Sequence, residues 1–154
     1  MIRAASMLNS GGAVEWLAET DYHGTGDAPH EIYPAIDSIA RTAPPGSNGV
    51  IFLPYLSGER CPMSDPLARG VYFGMSRSSG KPERYRATLE GVAFSYKSLL
   101  RLMCPDASPA KLLLVGGGSN SSVWAQILAD VLVRSQQAAA LAPTLRGRVS
   151  LRTL

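Results

Sequence analysis

The sequence predicts an α/β layered domain, and three observations carry that reading. Apolar residues recur at helical spacing from Leu89 to Met103. A short apolar run at 111–115 leads through three glycines into a second amphipathic stretch. Two further apolar runs, at 50–53 and 70–75, are bounded by glycine and proline. With 154 residues, 45% hydrophobic and 18% charged, the chain has the size of one domain with its own core.

Taken in order, Ala13, Trp16 and Leu17 predict a short helix after Asn9-Ser10-Gly11-Gly12, ending near Thr20. Residues 21–31 are polar and read as a surface connection. Ile32, Ile36, Ile39 and Ala40 mark a second amphipathic helix, with Pro34 tolerable only close to its beginning. Pro44-Pro45-Gly46 breaks it. Val50 to Leu53, apolar throughout with β-branched and aromatic members, predicts a buried strand. An extended loop from Gly58 to Gly70 separates it from a second strand over Gly70 to Met75.

Pro82 suits the first turn of a long helix whose apolar face runs through Leu89, Val92, Ala93, Tyr96, Leu99, Leu100 and Met103, stopping before Pro105. Gly91 inside that helix costs about 1 kcal/mol relative to alanine, which predicts a second backbone packed closely against it. Lys111 to Val115 then predicts a buried strand. After Gly116-Gly117-Gly118-Ser119-Asn120, a helix opens at Ser121 or Ser122, with Val123, Ile127, Leu128, Val131 and Leu132 on one face.

The net charge is +3, but all twelve acidic residues lie at or before Asp130, while Arg134, Arg146, Arg148 and Arg152 follow it. The part up to Asp130 holds 11 bases against 12 acids, a net of −1, which argues against a phosphate-backbone stripe and so against a nucleic-acid partner. Cys61 and Cys104 stand far apart and outside any metal or redox spacing, and His23 and His30 lack a ligand partner, so neither a disulfide framework nor a metal site is expected. The opening residues reach Asn-Ser-Gly-Gly before a signal-like apolar stretch can form, and no run is long enough to span a bilayer. A reducing, cytoplasmic setting without a membrane partner is the expectation.

The stretch from Val115 to Ser122 carries the candidate chemistry. Three glycines leave bare main chain that a ligand can approach and make positive φ available. The following helix offers unpaired N–H groups and the positive end of its dipole, which favour a phosphate or a polar nucleotide edge. No lysine follows the glycines and no G-x-G-x-x-G appears, so the same residues also fit a tight strand-to-helix turn with Ser121 or Ser122 as N-cap.

Three segments extend this reading. Phe52-Leu53-Pro54-Tyr55-Leu56-Ser57-Gly58-Glu59-Arg60, followed by Pro62, Asp65-Pro66, Ala68-Arg69-Gly70 and Phe73-Gly74, resembles a segment of the FGGY carbohydrate kinases, in wording nearest the xylulose kinases. Gly70, Tyr72, Gly74-Met75, Glu83, Ala87, Leu89 and Glu90 resemble that family's second signature, from which Arg84 departs where an apolar residue is usual. Gly116-Gly117-Gly118-Ser119 with Trp124 and Gln126 to Val131 resembles its adenosine segment.

The resemblance covers residues 9–132 and implies an incomplete C-terminal lobe of ribonuclease H-like, actin-type ATPase fold. It divides the chain into that partial lobe, 1–132, and a divergent, disordered tail, 133–154. It implies that Gly116, Gly117 and Gly118 back the adenosine of ATP, with Ser119, Asn120 and Ser121 as polar contacts. The complete enzyme would use ATP and Mg²⁺ to phosphorylate a pentulose such as D-xylulose. The general-base aspartate and most sugar contacts would sit in an N-terminal lobe absent from this chain, so the chain holds no catalytic residue and is expected to be inactive alone. Rival expectations are a kinase for ribulose, gluconate or glycerol, and a non-catalytic nucleotide-binding or interaction module.

Some residues invite plainer expectations. Glu59 with Arg60, and Asp65 with Arg69, read as structural ion pairs holding the long loop. Trp16, Trp124, Tyr55, Tyr72 and Tyr96 read as packing residues. A lobe without its partner should leave apolar surface uncovered, especially along the long helix, and should self-associate as a homo-oligomer.

Overall fold

The computed structural model describes residues 4–105, 111–132, 142–144 and 148–152. Its elements, in chain order, are α1 (Gly11–Asp21), α2 (Pro29–Thr42), β1 (Ile51–Leu53), β2 (Val71–Phe73), α3 (Lys81–Met103), β3 (Lys111–Leu114), α4 (Ser122–Leu132), β4 (Ala142–Thr144) and β5 (Arg148–Arg152). The architecture is mixed α/β, as the alternation of apolar runs and amphipathic stretches predicts. β1 and β2 form an antiparallel pair with Phe52 opposite Tyr72. β3, β5 and β4 form a second antiparallel sheet in that order, with Leu112 opposite Leu151. The tail expected to be disordered thus contributes two of the described strands, and other tail residues lie outside the described set.

The 23-residue α3 is the hub: α1, α2, α4 and β1 all pack on it. Its sequence explains this, because the face holding Tyr85, Leu89, Val92 and Ala93 is fully buried. Leu17 from α1, Ile36 and Ala40 from α2, and Val123, Ile127 and Leu128 from α4 complete one core. α3 begins where Glu83 accepts the Gly80 N–H at 2.9 Å, and Asn48 donates to the other Glu83 oxygen at 3.1 Å. That N-terminal bond, first among its causes, holds the Glu83 carboxyl below the usual glutamate value.

Gly91 meets the sequence expectation directly. A Cβ there would stand 2.2 Å from the carbonyl oxygen of Phe52, so β1 crosses α3 at a point only glycine allows. Trp16 stacks on Phe52 with ring centroids 6.3 Å apart, and Tyr72 closes the cluster at 4.5 Å from Phe52. The Tyr72 hydroxyl bonds Thr88 at 2.6 Å, and burial, ahead of any charge, pushes its pKa up to about 12.

The expected buried strands are only half-buried. In β1 only Phe52 points inward, while Ile51 is 54% exposed and Leu53 is also exposed. On β2, Val71 is exposed and Phe73 is 69% exposed. In β3, Leu113 is exposed, as is Val115 beyond it. Each run sends alternate side chains to opposite faces, and one face has no neighbour among the described residues. Uncovered apolar surface therefore gathers on the sheets more than along α3, where Phe94 and Leu102 are the exposed large residues.

α2 starts earlier than expected, at Pro29, which places Pro34 inside the helix. The cost of the missing N–H is offset by a well-formed start, where Glu31 accepts the Ala28 N–H at 3.2 Å, and by burial of Ile32, Ile36 and Ala40.

The two expected loop ion pairs do not form. Glu59 is 3% exposed and accepts the N–H groups of Arg60 at 2.7 Å and Leu8 at 3.2 Å, while Arg60 faces solvent. Asp65 accepts the Leu67 N–H at 2.8 Å, and Arg69 donates to the carbonyls of Pro66 and Ala68. Backbone groups win because the loop turns sharply enough to bring its own N–H and C=O groups within reach. Arg84 pairs with Asp21 of α1, whose carboxylate also accepts a hydrogen bond from the Tyr85 hydroxyl at 2.6 Å. The signature's unusual arginine is thereby tied to another helix.

Candidate functional site

The glycine turn and the four helices around it line an open cavity of about 650 Å³, within the range of small-molecule sites. Gly117, Gly118, Asn120 and Ser121 line one wall. α1 contributes Gly11, Val14 and Glu15, while α2 contributes His30, Tyr33, Pro34 and Asp37. Leu89 of α3 and Trp124 of α4 close the remainder. The lining is an apolar floor with a few polar groups on the rim.

The three glycines do three different things. Gly116 has φ of +89°, a conformation side chains rarely adopt, and so sets the turn as β3 ends. Its carbonyl accepts both the N–H of Ser119 at 3.0 Å and the Ser119 hydroxyl at 2.7 Å, closing a 3₁₀ turn over Gly117–Asn120. At Gly118 a Cβ would stand 2.5 Å from the Trp124 ring, so this glycine makes room for the indole. At Gly117 nothing lies within 4 Å of where a Cβ would be, and its main chain faces the cavity open.

Ser121 is the N-cap of α4: its hydroxyl oxygen accepts the Trp124 N–H at 2.9 Å. The same hydroxyl donates to Asp37 Oδ1 at 2.8 Å, which joins α4 to α2 across 84 residues. One turn further along α2, Arg41 donates to the Ser122 hydroxyl at 3.0 Å. Burial raises the Asp37 pKa, with the Ser121 hydrogen bond and Arg41 acting in the opposite direction. Asn120 is exposed, and its side chain makes no hydrogen bond among the described residues. An anion at this helix start also changes its electrostatics, since Asp37 occupies the place where the dipole would otherwise favour a phosphate. The wall suits an uncharged, donor-bearing group better than an anion.

Of the residues singled out from sequence, Gly117, Gly118, Asn120 and Ser121 face the cavity, while Gly116 and Ser119 shape the turn behind it. Glu15, Tyr33 and Asp37 were not singled out. Tyr33 and Asp37 stand four residues apart and so share a side of α2, but nothing local shows that this side meets the glycine turn. Among the described residues no group of three or more His, Cys, Asp or Glu is placed to hold a metal ion, and no helix is long and apolar enough to cross a membrane.

The chain is similar to the xylulose kinase of Escherichia coli (strain K12), with 36% identity over 126 residues, 81% of this chain and 25% of that protein. It is 40% identical to the gluconokinase of Bacillus subtilis (strain 168) over 101 residues, 64% of this chain and 20% of that protein. Among solved structures, the xylulose kinase from Rhodospirillum rubrum superposes with a TM-score of 0.71 at 32% identity, over 83% of this chain and 25% of that one. The gluconate kinase from Lactobacillus acidophilus gives 0.67 at 32% identity, over 82% and 25%. The chain thus spans about a quarter of the length of the relatives it matches. These neighbours share the ribonuclease H-like, actin-type ATPase fold. The FGGY family of carbohydrate kinases, C-terminal domain, matches residues 4–151, which carries past the expected boundary at Leu132. The chain belongs to the FGGY family of carbohydrate kinases, and the part it represents is the C-terminal domain.

Proposed function

We propose that this chain is the nucleotide-binding part of an ATP-dependent sugar kinase, and that the adenosine of ATP lies in the cavity against the main chain at Gly117. The observation that carries this reading is the open face at Gly117 within a 650 Å³ cavity, where neither a side chain nor another backbone fills the missing Cβ. Ser119 and Ser121 hold the turn in shape, and Asn120 offers an amide to the ligand. Mg²⁺, which the complete enzyme is expected to use, would enter with the phosphates. A pentulose such as D-xylulose is the substrate that the likeness to xylulose kinases favours, with gluconate the alternative favoured by the likeness to gluconokinases.

Phosphoryl transfer needs the γ-phosphate held in line with a sugar hydroxyl in a site closed to water. The chain spans about a quarter of the length of the kinases it matches, so the chain alone is expected to bind ATP without turning it over. ATP-dependent phosphorylation of D-xylulose by the purified 154-residue chain would overturn that expectation.

The test of the cavity is calorimetric titration of ATP into wild type and Gly117→Asp. Gly117 does not require positive φ and has free space beside it, so the variant should fold while its carboxylate fills the ligand's place. Binding weakened by tenfold or more supports the proposal. Equal binding removes it.

A further inference from the structure

We propose that Asp37 is the nucleoside-selecting residue of this cavity, its free carboxylate oxygen accepting a hydrogen bond from an N–H or O–H donor on the ligand. The donor is the exocyclic amine of the base or a ribose hydroxyl. This inference rests on the nucleotide reading of the cavity and assigns to it a specificity residue outside the glycine turn.

Asp37 is held before any ligand arrives. Ile36 and Ala40 on either side of it are fully buried and fix this stretch of α2 against the core. Oδ1 receives the Ser121 hydroxyl at 2.8 Å, and Ser121 in turn receives the Trp124 N–H at 2.9 Å, so rotating the carboxylate breaks its bond to the residue that caps α4. Among the described residues the second oxygen has no hydrogen-bond partner, and Asp37 forms no ion pair with them. Arg41, the cation that acts on it, gives its guanidinium N–H to Ser122 instead. A half-buried carboxylate with one oxygen left unpaired by the described residues, on the wall of an open cavity, can accept a hydrogen bond from a ligand donor.

The other polar groups of the wall are less suited to discriminate. Glu15, His30 and Asn120 are exposed and without a side-chain hydrogen bond, so each must lose rotamer freedom to engage a ligand. Asp37 has already lost it, and a preorganised charged acceptor separates ligands that carry the donor from those that lack it. Its charge also repels phosphate, which turns the nucleotide so that the triphosphate leads away from the start of α4.

The experiment titrates the full chain, wild type and Asp37→Asn, with ATP, 2′-deoxy-ATP and purine riboside triphosphate, which lacks the exocyclic amine. Heat and Trp124 fluorescence are both read. Asparagine keeps an oxygen for Ser121 and replaces the free acceptor by an NH₂ donor. Wild type should bind one of the two analogues roughly tenfold more weakly than ATP, and which one identifies the donor. Asp37→Asn should bind ATP roughly tenfold more weakly and no longer distinguish it from that analogue. If the variant weakens all three nucleotides equally, Asp37 only props the turn and the proposal fails. Should wild type bind both analogues as tightly as ATP, the proposal fails whether or not the variant folds. Failure of wild type to bind ATP at all sinks the cavity reading itself, and this inference with it.

Discussion

Gly91 lies buried in the core and Gly117 lies exposed on the cavity wall, and the space left by the missing Cβ is used in opposite ways. At Gly91 the Phe52 carbonyl occupies it, 2.2 Å from where the Cβ would be, and two elements of the core cross there. At Gly117 nothing comes within 4 Å. One glycine is required by the folded chain itself, whereas the other leaves room that the chain does not fill. Gly118 stands between them, since its vacant space is taken by the ring of its neighbour Trp124, a side chain that can shift.

The comparison is sharpest in stability. Gly91→Ala should be the most damaging, by about 3 kcal/mol, because a backbone carbonyl has to move; the urea midpoint measures it, and a loss under 1 kcal/mol would mean that β1 does not press on α3. Gly118→Ala should cost about 1–2 kcal/mol, accompanied by a change in Trp124 emission as the indole is displaced. Gly117→Asp should stay within about 0.5 kcal/mol of wild type, while the proposal expects its ATP binding to weaken. A strongly destabilised Gly117→Asp would erase the distinction between the two glycines.

The smallest effect concerns the start of α3, the helix that carries Gly91. The Glu83 carboxyl is held below its usual value of 4.5 by the Gly80 N–H, so the ionised form stabilises the fold. That contribution is complete above the unfolded pKa and disappears as pH falls through the lower, folded one. Acid titration of wild type against Glu83→Gln should show the two stabilities converging as pH falls below the ordinary glutamate pKa and through the lower, folded one; curves that remain parallel would deny Glu83 a role.

Much of the fold was legible in the sequence. The face of α3, its end before Pro105 and the close contact at Gly91 all follow from spacing and from the unusual cost of a mid-helix glycine. The position of the glycine turn was equally clear. The sidedness of the strands was not: Ile51 and Leu53 look as buried as Phe52 in the sequence, and which of them is covered depends on what packs above the sheet. The loop partners of Glu59 were also hidden, because the amide of Leu8 approaches it from 51 residues away.

The sequence by itself determined where helices form, where they stop and where main chain is left bare, because these depend on neighbours within a few residues. It also determined family membership, which rests on strings such as Gly116-Gly117-Gly118-Ser119. Only the tertiary structure decided that Gly117 alone of the three glycines has open space and a cavity beside it, and that Asp37 and Ser121 meet across 84 residues. The reason is physical: a hydrogen bond or a void between distant segments depends on how whole helices pack, and helical periodicity fixes which face is apolar without saying which neighbour that face will meet.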